Sequence, residues 1–383
     1  MTVRLAGRRT RRFLAAAVSI AAATFLTTPA IAEPATLIRG VGASNRLHLA
    51  VLGDGYTTDE LPKFAADAEK FMAAFFAQLP YADYASYFDV YRIDVASPQS
   101  GASHPESGIT KTTAFSASYN CNGTLRLVCA NIGAVNTVLA RSLSPEQRDF
   151  AIVLVNDSQY GGSGGAVAIS STNIAGIEIL LHEMGHTLGL LGDEYPDGGT
   201  CVASELPYPN VTTVESRPSI KWRHWIDEST PIPTTITAPA VPGLYLGARF
   251  CAAGQYRPTY NSKMRTLGLP FDQVNGEQLI KRFYNFVSPI DGFAPSTGSV
   301  VVRPGEAQTF SVITLAPASH ALSVTWTLDG VPVGTGNVLA LPGTAVATGP
   351  HTLQAIVRDV TAAVRSDAAG ALQAVQTWTV SGG

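Results

Sequence analysis

His182-Glu183-Met184-Gly185-His186 is the stretch of sequence from which both the fold and the chemistry of this chain can be inferred. Its two histidines stand four residues apart, so on an α-helix they share one face and can reach the same metal ion. Neutral imidazole suits zinc, and a glutamate directly after the first histidine can accept a proton from water at the metal. The pattern predicts a hydrolytic zinc helix; the alternative is a structural histidine pair on a buried helix.

A hydrolytic zinc needs a third protein ligand and one position for water. The chain continues as Thr187-Leu188-Gly189-Leu190-Leu191-Gly192-Asp193-Glu194-Tyr195. On a straight helix Asp193 would lie about 10 Å along the axis from His186, but a positive φ at Gly189 would let the chain turn back. We expect Asp193 to be the third ligand, with Glu194 as the second choice. The alternative is an exposed acidic turn.

The spacing is close to the metzincin protease motif, His-Glu-x-x-His-x-x-Gly-x-x-His. Gly189 matches the glycine of that motif, but Gly192 stands at the sixth position and the acid follows at the seventh. Met264, in Tyr260-Asn261-Ser262-Lys263-Met264-Arg265, lies where the methionine turn of those proteases would be. The alternative is a methionine that fills the core.

The chain resembles the M64 family of metallopeptidases, often called IgA peptidase M64. The similar segments lie between residues 40 and 288: Leu52–Thr57, Tyr91–Val95, Ser100–Pro105, His182–Tyr195 and Tyr256–Pro258. The resemblance implies a zinc endopeptidase with a metzincin-like core, in which His182, His186 and Asp193 bind one Zn²⁺ and Glu183 is the general base. An aspartate often precedes the His-Pro pair in that family, whereas Ser103 stands there in this chain. The family name does not imply cleavage of immunoglobulin.

The developing oxyanion of such a reaction needs a donor besides the metal. Tyr256 and Tyr260 are the candidates, each with a phenol that could reach the reacting carbonyl; the alternative for each is ordinary packing. His224 is expected to be structural.

The first 32 residues are typical of a secretory signal peptide. Five arginines precede an apolar run from Phe13 to Leu26, and Ala30-Ile31-Ala32 suits cleavage near Ala32. Twin-arginine export and general secretion both remain open. Of the 26 Lys and Arg residues five lie in this segment, so 21 remain against 29 Asp and Glu, a net charge of −8. We therefore expect an extracellular or periplasmic protein with no membrane span and no nucleic-acid partner.

The mature chain is expected to contain two domains. A predicted strand at 46–52, a helix from Leu61 that ends before Pro80 and a strand at 88–95 suggest parallel pairing in an α/β core. A helix near 134–142 and a strand at 150–155 follow. The glycine-rich stretch 161–165 is interpreted either as the entry to an edge strand at 166–170, able to pair with an extended peptide, or as a plain surface loop.

From about Ser296 the chain changes to short alternating runs, at 299–303, 308–314, 321–328, 336–340, 350–358 and 372–380. They predict an immunoglobulin-like β-sandwich. The predicted architecture is thus an α/β (α+β) metzincin-like zinc peptidase domain over 33–290, followed by an all-β sandwich over 296–383. Of the three ways to pair four cysteines we favour Cys121–Cys129 and Cys201–Cys251.

The main functional hypothesis is a secreted zinc endopeptidase acting on protein or peptide substrates. One alternative is a secreted binding or adhesion protein with a structural or vestigial metal site, whose C-terminal domain contacts glycan or a cell surface. Another is a zinc hydrolase that acts on a non-peptide amide.

Overall fold

A six-stranded sheet lies at the centre of the N-terminal part of the computed structural model, which describes residues 34–198, 201, 204–238 and 240–383. β2 pairs in parallel with both β3 and β4, and β4 with β6. The predicted parallel strand–helix–strand unit is confirmed, while the predicted signal peptide lies outside the described residues. The strands, with spatial order β1-β3-β2-β4-β6-β5, are β1 (Ala35–Arg39), β2 (Leu47–Asp54), β3 (Phe88–Ile93), β4 (Phe150–Val155), β5 (Gly162–Ser163) and β6 (Ala168–Ser171).

Helices cover both faces of this sheet, so β2 is buried along its whole length. On one face α1 packs with α3 and α4 through Phe64, Phe71 and Phe75, and on the other α2 packs through Val135 and Leu139. A capping box precedes α1, since Thr57 N–H donates to Glu60 Oε2 at 2.9 Å. The α-helices in the described residues are α1 (Leu61–Phe75), α2 (Ile132–Ser142), α3 (Gly176–Thr187) and α4 (Gln273–Phe283).

The glycine-rich stretch 161–165 does not lead into an edge strand as expected, because β6 lies inside the sheet between β4 and β5. β5, within the stretch itself, is the last strand. Its outer side is already bonded: Gly162 N–H donates to the carbonyl of Arg126 at 3.2 Å, and Gly162 accepts from Val128 N–H at 3.3 Å. Gly162 is therefore not available to pair with a peptide.

The segment between α3 and α4 is largely irregular, as its many prolines suggest. Its regular part is a hairpin of β7 (Tyr245–Ala248) and β8 (Cys251–Arg257). Both predicted disulfides are confirmed: Cys121 is bonded to Cys129, and Cys201 to Cys251 at the start of β8.

The C-terminal part is rich in β-structure and forms two sheets around the buried rings of Phe310, Trp326 and Trp378. All six predicted runs are strands; the sequence did not indicate β9 and β13. One sheet has the order β10-β16-β15-β12-β13 and the other β14-β11-β9. The strands are β9 (Ile290–Ala294), β10 (Ser299–Val302), β11 (Ala307–Thr314), β12 (Ser323–Leu328), β13 (Val331–Thr335), β14 (Val338–Pro342), β15 (Gly349–Arg358) and β16 (Gln373–Gly382).

A hairpin turn at Asp329-Gly330 joins β12 to β13, with φ of 50° and 81° at its two residues. Positive φ at both positions is the requirement of a tight hairpin turn. Because β9 pairs with β11, the C-terminal sheets begin at Ile290, before the predicted boundary. The immunoglobulin-like identity of this region and the two-domain division stay predictions.

A buried hydrogen-bond network joins the C-terminal sheets to the first part of the chain. Asp359, at the end of β15, accepts from the hydroxyls of Tyr84 and Tyr284, each at 2.7 Å, and its other oxygen lies 2.6 Å from His320 Nε2. Within the described ranges, none of the helices is both long and apolar enough to cross a bilayer.

Candidate metal centre

Helix α3 carries both histidines of the predicted metal site. It starts after a turn in which Asn173 Oδ1 accepts from Ala175 N–H at 2.9 Å, and it ends at Thr187. The exit differs from the expectation, because the left-handed residue is Leu190, with φ of 57°, and not Gly189. A Cβ on Gly189 would lie 2.6 Å from the carbonyl oxygen of Gly185. This glycine is therefore needed for close approach of the backbone and not for its φ.

The chain turns back after α3 and brings Asp193 to the two histidines. Asp193 Oδ1 lies 3.2 Å from the Nε2 atoms of His182 and His186, and these two nitrogens are 3.1 Å apart. Three potential ligand atoms thus converge on one point.

Backbone carbonyls fix the orientation of both rings. His182 Nδ1 lies 3.0 Å from the carbonyl of Lys263, and His186 Nδ1 lies 2.7 Å from that of Leu191. An Nδ1–H that donates to a carbonyl leaves the Nε2 lone pair directed at the site, as in metal-binding histidines generally.

Glu183 stands beside the histidines. Ligand atoms of His182, Glu183 and His186 all lie within 4.8 Å of one another, so this group could hold a metal ion. Asp193 is the closer third partner, because its contacts with the two rings are 3.2 Å. Glu183 is left facing Gly164, where a Cβ would come within 2.8 Å of its Oε2.

The two adjacent carboxylates of the predicted acidic pair face opposite ways. Asp193 Oδ2 accepts from Arg249 Nη1 at 3.2 Å. Glu194 is fully buried and accepts from Asn210 at 2.8 Å, Asn275 at 2.9 Å and Ser262 at 2.6 Å. The oxygens of Glu194 are therefore occupied away from the histidines.

Met264 lies beneath the histidine helix. Its side chain is fully buried, and a Cβ on Gly185 would come within 2.5 Å of its sulfur. The preceding carbonyl, that of Lys263, holds His182, and the carbonyl of Met264 accepts from Glu194 N–H at 2.9 Å. This segment therefore packs against α3 and orients His182, while its identity as a methionine turn stays a prediction.

Burial and ion pairing shift the pKa values of the centre. Burial raises the pKa of Glu183. It opposes ionisation of Asp193 as well, but the two adjacent histidines hold the pKa of that carboxyl well below its usual range. Against the effect of burial, the hydrogen bond and charge of Asp193 raise the pKa of His186 to about 9. Burial, with the charge of Asp272 nearby, raises the pKa of Glu194 above its usual range.

A cleft of about 980 Å³ opens over the centre. Among its described lining residues neither Tyr256 nor Tyr260 is found. The Tyr256 hydroxyl donates to Glu215, and the Tyr260 ring lies 6.3 Å from that of Tyr245. Their predicted role as oxyanion donors therefore has no geometric support.

The cleft is lined instead by Arg126 and Tyr195, which the sequence did not single out for function. Burial raises the pKa of the Tyr195 phenol to about 12. His224, expected to be structural, lies 2.8 Å from Glu277 and outside this cleft lining.

The family model described as IgA Peptidase M64 matches residues 36–239, more than half of the chain. The match includes the first sheet, α3 and Asp193, and ends before β7. No curated protein matches the chain.

Proposed function

Because the chain belongs to the IgA peptidase M64 family, we propose that it is a secreted zinc-dependent endopeptidase that hydrolyses peptide bonds in protein or peptide substrates. The family is one of peptidases. We propose in addition the zinc ion, the roles of single residues and the extracellular or periplasmic location.

The convergence of three ligand atoms is the observation that carries it. The distances between His182 Nε2, His186 Nε2 and Asp193 Oδ1 are 3.1–3.2 Å. Zinc bonds to nitrogen and oxygen of about 2.0–2.2 Å put two tetrahedral ligands about 3.3–3.5 Å apart. Two nitrogens and one carboxylate oxygen at this spacing fit zinc and leave a fourth position, which a hydrolytic site requires.

Zinc bound there would supply Lewis-acid chemistry, acidifying water and polarising the substrate carbonyl. Glu183 accepts the proton of the attacking water and afterwards donates it to the leaving amine. Gly164 leaves room for the carboxylate of Glu183, and Asp193 keeps its orientation through Arg249. Tyr195, which lines the cleft, replaces Tyr256 and Tyr260 as the candidate oxyanion donor.

We propose, too, that residues 296–383 form an immunoglobulin-like domain. The two tryptophans of this region, Trp326 and Trp378, are fully buried, so neither ring is available to stack on a sugar. The network around Asp359 argues for a region docked on the peptidase part, which weakens the case for a free adhesion module. Contact with glycan or a cell surface stays a prediction.

Hydrolysis of casein by the purified protein tests the main proposal. We expect hydrolysis to stop when a chelator removes the metal and to return with zinc. Glu183→Ala should keep its zinc, measured by atomic absorption, while kcat falls about 10²–10⁴-fold. Glu69→Ala is the matched control, because this glutamate is exposed on α1, and we expect it to keep full activity. Full turnover by zinc-loaded Glu183→Ala would contradict the mechanism.

A further inference from the structure

A short loop closed by the Cys121–Cys129 disulfide borders the cleft above the metal centre. Its backbone is joined to β5 by the two hydrogen bonds between Gly162 and residues 126 and 128. Arg126, on this loop, is exposed and lines the cleft. The covalent bridge and the two backbone bonds hold the base of the Arg126 side chain in a fixed place at the rim.

The charge of the cleft differs from that of the whole chain. The chain has 26 Lys and Arg residues against 29 Asp and Glu. Outside the metal centre, the described lining of the cleft carries two guanidinium groups, Arg126 and Arg265, against one carboxylate, Asp197. Arg265 donates to the carbonyl of Tyr260 at 3.1 Å. The mouth of the cleft is thus basic in an acidic protein.

Within the described residues, the phenol of Tyr195 acts on the Arg126 guanidinium more strongly than the carboxylate of Asp193 does. Interaction with the phenol of Tyr195 is the largest cause of a raised pKa for Arg126. Guanidinium presents several N–H donors in a fork that matches a carboxylate. Because Arg126 is exposed and lines the cleft, its donors can meet a ligand there.

We infer that Arg126, held at the rim by the disulfide-closed loop, selects substrates that carry an acidic side chain close to the scissile bond. The inference rests on the proposed peptidase function and names its substrate class. Arg126 would be a specificity-determining residue with no part in the bond-breaking step, since a rim charge acts through attraction of the matching charge.

Three peptides blocked at both ends and differing by Glu, Gln or Lys at each position flanking the cleavage site test this. For the wild type we expect kcat/KM to fall in the order Glu, Gln, Lys. The Glu-to-Lys ratio should be about 5–10-fold, since one exposed charge pair contributes up to about 1 kcal/mol, equivalent to about 5-fold. The ratio should shrink at about 1 M salt, where exposed charges are screened.

Arg126→Glu should reverse the order of the three peptides. If this charge reversal prevents folding, Arg126→Gln takes its place and should remove the difference in kcat/KM between the peptides. Arg141→Glu is the matched control, because Arg141 is exposed on α2 and lies outside the cleft lining. The substitution changes the net charge by the same amount as Arg126→Glu. We expect it to keep the wild-type order. A merely structural role of Arg126 would lower all three rates without changing their order.

Binding of the same labelled peptides to Glu183→Ala, followed by fluorescence anisotropy, separates this inference from the proposed function. If the zinc-loaded wild type cleaves none of the peptides, the peptidase proposal fails, and the order of the Kd values still tests Arg126. Equal rates for the three peptides, or a wild-type order in Arg126→Glu, would overturn the inference. Selectivity that is absent from these blocked peptides and appears only when the C-terminus is left free would overturn it too, in favour of a site for the terminal carboxylate.

Discussion

Gly164→Ala is the smallest change that should disturb the chemistry while leaving every proposed ligand and the proposed base in the sequence. A Cβ at this position would lie 2.8 Å from Glu183 Oε2, 3.1 Å from the Glu183 carbonyl oxygen and 3.1 Å from His186 Cβ. Carbon atoms in ordinary contact stand about 3.5–4.0 Å apart. The neighbours must therefore move by several tenths of an ångström.

The Glu183 carboxylate is the part most able to move, since it is the free end of a flexible side chain. Displacement of a reacting group by about 1 Å can cost about 100-fold in rate. A shift of about half that distance should lower kcat about 10-fold. Overpacking one methyl group costs about 1 kcal/mol, which lowers Tm by about 2 °C in a chain of this size.

The assay is peptide hydrolysis by Gly164→Ala at full zinc occupancy, together with a thermal melt. Gly276→Ala is the control, because Gly276 lies within α4 and a Cβ there meets nothing within 4 Å. That variant should keep wild-type activity and gain about 0.5–1 kcal/mol from helix propensity. A Gly164→Ala protein with full zinc and wild-type kcat would refute the argument that Glu183 must occupy this position.

Three further outcomes are expected. Asp193→Ala should weaken zinc affinity more than about 100-fold, whereas Glu194→Ala should weaken it less. Glu194→Ala should instead lower the free energy of unfolding by about 3 kcal/mol, because three buried donors lose their acceptor. The reverse ranking of zinc affinities by titration would make Glu194 the ligand. Asp359→Ala should cost about 3 kcal/mol in thermal melts, since two buried tyrosine hydroxyls lose their acceptor; an unchanged Tm would contradict this network. Although burial opposes it, the hydrogen bond from Lys221 lowers the pKa of Glu205 to about 2. The ionised Glu205 therefore stabilises the fold fully above its unfolded pKa near 4.5, and this stabilisation is lost as pH falls towards 2. Glu205→Gln should therefore lower Tm by about 2 °C at pH 7, allowing for solvent screening, and by less than half of that at pH 3; a constant difference would refute the ion pair.

Periodicity within one segment was sufficient to predict the elements that build the core. The aromatic repeat between Leu61 and Phe75 defines α1, and the continuous apolar run of residues 150–155 defines the buried strand β4. These predictions succeed because each helix or strand buries apolar residues whose spacing along its own segment indicates the type of element. The disulfide pairs were also accessible, because a short polar loop joins Cys121 to Cys129.

The residues that orient the centre could not be found in this way, since they come from distant segments. The carbonyl of Lys263 lies 81 residues after His182 in the chain, and Arg249 lies 56 residues after Asp193. A carbonyl group has no signature in sequence, and an arginine in an irregular segment has many possible partners. The choice among the tyrosines could not be made from sequence for the same reason, because nothing local distinguishes Tyr195 from Tyr256.

Asp193 and Glu194 make different contacts, and the residues next to them in the sequence do not predict which carboxylate lies at the histidines. Spacing from the helix allowed either carboxylate to approach the histidines. Adjacent side chains of an extended segment point in opposite directions, so only one of the pair can face the metal centre. Which one does so depends on the buried amides and the hydroxyl that occupy Glu194. These donors lie on the side of the segment away from the histidines and bind Glu194. Asp193, the adjacent residue, is thereby turned towards the two imidazoles.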